Sequence, residues 1–232
     1  DIDNALSSDN LESLSPRNGG NRLIWDMRYP GFQSFEGMVL YSSPNVGPKA
    51  TPGKYNIKMT YNDLVFQEEF EIVKDPRVKI SQADYQDQLE FLIDVRDEVS
   101  KANQQIINIR SIKNNMSFIL DKTKENNELQ EMINKYLDDI SVVENNIHMT
   151  KNQSRQDPLN FGIRINNRIA FLLADSQRGD YPPTDQSKEF FSQVKEELDI
   201  EVTNLKAIIE KHSQKIEEYL KKNKIELISL KD

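Results

Sequence analysis

The stretch over residues 81–156 contains neither proline nor glycine, and this most constrains the fold of the chain. Its apolar residues recur at spacings of three and four, with two gaps of seven, which is the period of an amphipathic helix. The stripe consists of Tyr85, Leu89, Leu92, Val99, Ala102, Ile106, Ile109, Met116 and Ile119. A helix over about 82–122 would be roughly 60 Å long. A stripe of this length fits coiled-coil-like packing, and Ser81 is a suitable N-cap for it.

Further helical patterns follow a polar break at residues 124–127. A second stripe runs from Leu129 to Ile147, and we expect its helix to stop at Asp157 and Pro158 and to lie antiparallel to the first. A short helix is predicted over 163–174, and a long final helix capped by Thr184. The region 81–232 is therefore predicted to be an antiparallel helical bundle of three long helices and one short one. The end, over 225–228, is predicted to pair as a short strand or dock as an extended segment.

The region before residue 75 has the pattern of short strands separated by turns. Strands are predicted over 22–27, 37–41, 55–61 and 65–72, and Asn62 with Asp63 indicates a hairpin between the last two. This pattern favours a small immunoglobulin- or fibronectin-like β-sandwich over 21–75. The region is short for seven strands, so it is either minimal or lacks leading strands that lie upstream of residue 1. The predicted fold class is α+β, with a flexible tail or linker over 1–20 and a hinge at Asp75 and Pro76.

Composition excludes several functional classes. The chain has no cysteine, so thiolate metal sites, cysteine nucleophiles and disulfides are ruled out. Its formal net charge is -8, with lysines and carboxylates interspersed, which argues against a nucleic-acid partner. No apolar run approaches the roughly 20 residues of a membrane span.

We predict no catalytic, cofactor-binding or metal-binding residue. The adjacent acid pairs at 138–139, 196–197 and 217–218 diverge by about 100° on a helix and are typical of solvated faces. His148 and His212 are the two histidines, and neither lies in a pattern of zinc ligands or of a nucleophilic triad. Sequons begin at Asn115 and Asn152, but this tripeptide is common by chance and no role is assigned to it.

One local cluster admits two interpretations. Trp25, Asp26, Arg28 and Tyr29 form the most distinctive group of aromatic and charged residues in the chain. They could be an aromatic platform that faces a ligand. Alternatively, Trp25 could be a buried anchor of the β-domain, with Asp26 and Arg28 holding turns.

Several strings resemble one family. The chain carries NRLIWDMRYP at 21–30, GMVL at 37–40, GP at 47–48, PGKY at 52–55, KDPR at 74–77 and PPTDQ at 182–186. These resemble the C-terminal region of bacterial sortilin-like proteins with BNR (Asp-box) repeats, often labelled glycosyl hydrolases. The first string is fairly specific, whereas PGKY occurs in many Ig-like modules. The resemblance covers about residues 21–228 and implies an upstream β-propeller. It further implies an exported, extracytoplasmic protein of a Gram-negative, Bacteroidetes-like organism.

Three functional hypotheses follow. The first is a non-catalytic accessory module that packs against or spaces out the upstream propeller and contacts other proteins through the bundle. The second is a supporting rim of a glycosyl hydrolase-like enzyme whose active site lies in the propeller. The third is a free-standing coiled-coil protein for interaction or oligomerisation. No Asp-box occurs in this chain, so the resemblance supplies no catalytic residue here.

Overall fold

A computed structural model describes residues 17–225. Two antiparallel strands, β1 (Gly53–Tyr61) and β2 (Leu64–Ile72), precede the helices. These are α1 (Gln82–Lys122), α2 (Asn127–Ile147), α3 (Pro158–Phe161), α4 (Ile165–Ser176) and α5 (Asp185–Lys222). The α+β class is confirmed. The expected tail over 1–20, apart from 17–20, and the expected extended end after residue 225 lie outside the described residues.

The helix starts follow from local capping. Ser81 and Asp84 form a capping box, in which the Ser81 side chain accepts from the Asp84 amide and the Asp84 carboxylate accepts from the Ser81 amide. Thr184 caps α5 by accepting from the Ser187 amide. Both caps lie where the sequence predicts them, and α1 extends over 41 residues. The predicted stripe of α1 is buried, except that Met116 is only partly covered.

The helices form a bundle of three rows: α1, α5, and a row made of α2 and α4 that is interrupted over residues 148–164. The α2–α4 row packs against both long helices and runs antiparallel to α1, and α1 and α5 also contact each other. Gln88 of α1 bonds the Ser176 carbonyl of α4, whereas Arg110 further along α1 bonds Glu144 of α2. The core is continuous along this row and includes Val95, Val99, Ile106, Ile133, Tyr136, Ile140, Ile169, Leu173, Val194, Leu198 and Leu205.

The end of α2 differs from expectation. The sequence predicts a helix up to Asp157, but α2 ends at Ile147 and His148 is already extended, with φ of -137° and ψ of 136°. His148 packs edge-on against Phe35, and the Asn152 amide contacts the Val39 carbonyl at 3.5 Å. The side chains after Ile147 thus contact a distant segment of chain instead of continuing the helix.

That segment, residues 28–50, is here called the strap. The two ends of the strap lie side by side. Arg28 forms an isolated β-bridge with Lys49, and the Tyr29 amide donates to the Pro48 carbonyl. Close approach there requires Gly47, because a Cβ at that position would lie 1.8 Å from the Tyr29 carbonyl oxygen. Between these ends Phe32 enters the bundle core, and Phe35, Met38 and Leu40 pack against it.

The predicted Ig-like sandwich is not present in residues 17–225, where the sheet has two strands. The hairpin of β1 and β2 is confirmed, but the strands predicted over 22–27 and 37–41 are wrong. The physical reason is clearest at Tyr41, whose amide and carbonyl both bond the Asn167 side chain of α4 and so are not available to a sheet. The proposed boundary between domains at 21–75 and 81–232 stays a prediction, although the strap packs on the bundle.

Candidate functional site

The hairpin has two chemically different faces. Directly paired residues share a face, and the pairs Tyr55–Phe70, Met59–Phe66 and Tyr61–Leu64 place aromatic and aliphatic side chains together. With Ile57 these residues are here called the apolar face. The opposite face, here called the polar face, carries pairs such as Lys54–Glu71 and Asn56–Glu69. The period-two pattern of the sequence accounts for both faces.

The apolar face is open to solvent. Met59 is 52% exposed and Phe66 50%, and the other members away from the hairpin base are similar. Contiguous apolar patches of this kind mark interaction surfaces in soluble proteins. Neither strand has a second neighbour among the described residues, so both outer edges also offer free backbone groups. The hairpin is the strongest candidate for a docking site in the described part of the chain.

A single charge interrupts the apolar face. Glu68 pairs with Ile57 and therefore projects among the apolar side chains. It makes no ion pair with any described residue. By contrast, Glu69 on the polar face is 3.0 Å from the Lys54 ammonium. Any element that covers the apolar face must therefore offer Glu68 a donor or a cation.

Trp25 covers the base of the apolar face. Its ring centroid lies 6.0 Å from those of Tyr55 and Phe70, and its indole Nε1 donates to the Arg28 carbonyl at 2.9 Å. At 38% exposure it is not the buried anchor that one interpretation of the cluster expects. Asp26 does hold a turn, since its carboxylate accepts from the Arg28 amide.

The remaining members of the predicted cluster lie apart from that ring. The Arg28 guanidinium bonds the Gly47 carbonyl at 2.8 Å and the Gln177 side chain at 3.0 Å. Tyr29 is 5% exposed and belongs to the strap. The structure thus divides the four residues between the hairpin base and the junction of strap and bundle.

A cleft of about 200 Å³ lies between the hairpin base and the bundle. Inside it the Tyr85 hydroxyl donates to Asp180 at 3.1 Å, and burial together with this carboxylate raises the pKa of Tyr85. Asp75 is paired with Arg77 at 2.7 Å, and this partner lowers the pKa of Asp75. Lys74 donates to the Ile80 carbonyl. The titratable groups named here already have partners, so the cleft fixes the hinge geometry rather than presenting an activated acid or base.

The two histidines lie apart: His148 directly follows α2, and His212 is in α5. His212 of α5 stacks on Tyr136 and contacts Asp139 of α2 at 2.9 Å through Nε2. Lys135 is the first cause of the lowered pKa of Asp139, and His212 adds to it. His148 is 2% exposed, and burial lowers its pKa. Among residues 17–225, no group of three or more His, Asp or Glu side chains could hold a metal ion.

The acid pairs and sequons are dispersed. Glu197 forms a two-pronged ion pair with Arg168, and Glu217 lies 3.9 Å from Lys221. Asn115 is exposed on α1, whereas Asn152 is 9% exposed beneath the strap. No described helix is long and apolar enough to cross a membrane.

Sequence reasoning missed the buried polar residues beneath the strap. Asn103 and Asn166 are fully buried, and Glu144 is 4% exposed between Arg110 and Lys113. A signal was available, because Asn103 lies next to Ala102 and one turn before Ile106, at the edge of the apolar stripe. A buried polar side chain implies a polar partner, and for Asn103 the strap provides it through the Gln33 carbonyl.

Comparison with known proteins gives no relative: no protein-family model, curated protein or solved structure matches this chain. The resemblance to sortilin-like C-terminal regions therefore stays a prediction.

Proposed function

We propose that this chain is a non-catalytic accessory module of a larger exported protein of the sortilin-like kind. In this proposal the hairpin belongs to an Ig-like β-sandwich completed by strands upstream of residue 1. The helical bundle is a rigid spacer and a surface for other proteins. The observation that carries the proposal is the solvent-exposed apolar face of a hairpin whose base is already covered by Trp25.

The low intrinsic stability of a two-stranded hairpin supports a layer that packs on its apolar face. An isolated two-stranded sheet is at best marginally stable in water, and three or more strands or a packed layer are needed for independent stability. Beyond Tyr55 the side chains of this hairpin are exposed along both strands. A second layer over the apolar face would bury Ile57, Met59 and Phe66 and so supply the missing stabilisation.

The size of the face favours an attached layer over a second copy of the chain. Strands of nine residues give a face about 30 Å long and about 10 Å wide, or about 300 Å². Stable association of separate chains usually buries about 800 Å² on each partner. An attached segment avoids most of the cost of association, so a small face is sufficient for it. Trp25 also shows that the chain before β1 already reaches this face.

Thiol reactivity tests the proposal, since the chain has no native cysteine. Met59→Cys places one thiol on the apolar face, and Thr60→Cys places the matched control on the polar face. In this chain alone both thiols should react rapidly with a maleimide dye. In the protein extended by its upstream sequence, the thiol at 59 should be protected at least tenfold while the thiol at 60 stays reactive. Equal reactivity of the two thiols in the extended protein would contradict the proposed sandwich.

Two further measurements separate the other hypotheses. Light scattering of this chain should give a monomer across the micromolar range, and a dimer disrupted by Phe66→Glu would instead favour the free-standing oligomerisation protein. Purified chain should show no turnover on glycan and peptide panels. Turnover that persists through purification and is lost in a specific variant would refute the non-catalytic assignment.

A further inference from the structure

The break between α2 and α4 contains a chain of hydrogen bonds that ends on the strap. The Asn103 amide nitrogen donates to the Gln33 carbonyl at 2.6 Å, and its oxygen accepts from the Asn166 amide at 3.1 Å. The Asn166 amide nitrogen is also 3.2 Å from Nδ1 of His148. His148, Asn103 and Asn166 are all buried. One helix break, two helices and the strap are thus joined by one polar path.

The direction of every bond in this path is set at its strap end. A backbone carbonyl only accepts, so Asn103 must present its amide nitrogen to Gln33. Met38 sulfur, 3.5 Å from the same nitrogen, is also an acceptor. The Asn103 oxygen therefore faces Asn166, which must present its own amide nitrogen. Nδ1 of His148 is then left as an acceptor, which requires a neutral imidazole with its proton on Nε2.

We propose that this path is a pH-sensitive latch: the strap is held when His148 is neutral and is released when Nδ1 gains a proton. A protonated Nδ1 would face the Asn166 amide nitrogen as donor against donor. Turning the Asn166 amide over would satisfy His148 but would place two amide oxygens together at Asn103. Turning Asn103 as well would remove its bond to Gln33. Every rearrangement of the path itself therefore breaks one bond, either inside it or to the strap.

The surroundings of the imidazole also favour its neutral form. Burial is the first cause of the lowered pKa of His148; Arg110 from α1 also opposes protonation, while Glu144 from α2 favours it. Glu144 is itself engaged by Arg110 at 3.2 Å and by Lys113 at 2.6 Å. The strap contributes the uncharged Phe35 ring, 4.9 Å from the imidazole centroid, and α4 contributes Asn166.

Protonation of His148 would loosen the contacts of the strap before it loosens the contacts between the helices. Arg110 also donates to the Glu36 carbonyl at 2.7 Å and lies 4.7 Å above the Phe35 ring, so the strap meets a fixed cation beside His148. Glu144, the carboxylate that favours protonation of His148, is already paired with Arg110 and Lys113. The α1–α5 contact between Phe91 and Phe191 lies elsewhere and does not depend on this path.

Hydrogen exchange tests the latch through two strap amides. The Gln33 amide donates to Ser100 at 3.0 Å and the Tyr41 amide to Asn167 at 2.8 Å. Between pH 7.5 and 5.0 their protection factors should fall by up to about tenfold per pH unit, the limit for uptake of one proton. Amides in the centres of α1 and α5 should keep their protection factors over this pH range. Equal losses in strap and helices would indicate general unfolding and would overturn the latch.

Variants assign the effect to its residues. His148→Asn supplies an acceptor that does not titrate near pH 6, so strap protection should become independent of pH in this range. Asn166→Asp would place a carboxylate oxygen against the Asn103 oxygen, so the strap should lose protection already at pH 7.5. The control His212→Asn should leave the strap response unchanged. A response that persists in His148→Asn would overturn the latch. If that variant does not fold, imidazole nitrogen NMR of the wild type decides: a proton on Nδ1 at pH 7.5 would also overturn it.

Discussion

Replacement of Phe32 by alanine tests whether the strap belongs to the bundle core. Phe32 is 3% exposed and lies in the same buried cluster as the apolar stripe of α1. Truncation of a buried phenylalanine typically costs about 3–5 kcal/mol, from lost transfer free energy and from the cavity left behind. Phe66→Ala is the matched control, because Phe66 is 50% exposed and should lose only about 1 kcal/mol or less.

Urea unfolding followed by two probes measures both effects. Far-UV circular dichroism reports the helices, and fluorescence of Trp25, the single tryptophan, reports the base of the hairpin. For Phe32→Ala the urea concentration at the midpoint of the circular dichroism transition should fall by about 1 M or more. The free energy of unfolding typically changes by about 1–3 kcal/mol per M of urea. A loss below about 1 kcal/mol, equal to that of Phe66→Ala, would refute the placement of the strap in the core.

Three other changes have expected outcomes in the same unfolding assay. Glu144→Gln leaves two cations of α1 without their buried partner and should cost about 1–3 kcal/mol, whereas exposed Glu131→Gln should cost little. Ser81→Ala removes the cap of α1 and should cost about 1 kcal/mol, against near zero for exposed Ser111→Ala. Backbone amides lower the pKa of Asp157. The ionised carboxylate therefore stabilises the fold above the usual pKa of 3.8, and this contribution to the free energy of unfolding is lost as pH falls through the lowered pKa. In Asp157→Asn the free energy of unfolding should therefore depend less on pH below about pH 4.

Local signals predicted the parts of the fold that depend on neighbours in sequence. The Ser81 and Thr184 caps, the stripe of α1 and the hairpin around Asn62 each require only a few adjacent residues, and each is present. Hydrophobic period and capping chemistry act within one element, so a single sequence contains them.

The strap was not predictable from such signals. The string over 37–41 has the composition of a strand, yet Tyr41 bonds an asparagine that is 126 residues away in sequence. Strand propensity records a side chain that fits a half-buried surface, and the surface here is a bundle rather than a sheet. A second contact of the strap explains why α2 stops at Ile147: no helix breaker occurs there, and Phe35 of the strap packs on His148.

The latch and the hairpin are joined through the two ends of the strap. Residues 28 and 49 close the strap, Trp25 lies three residues before it, and β1 begins three residues after it at Gly53. Because Trp25 donates to the Arg28 carbonyl, movement of the strap would move the ring that covers Tyr55 and Phe70. Trp25 fluorescence should therefore change with the same pH midpoint as strap protection, and this coupled change should disappear in His148→Asn. A fluorescence change at that midpoint which survives in His148→Asn would mean that the hairpin base responds to a different titrating group.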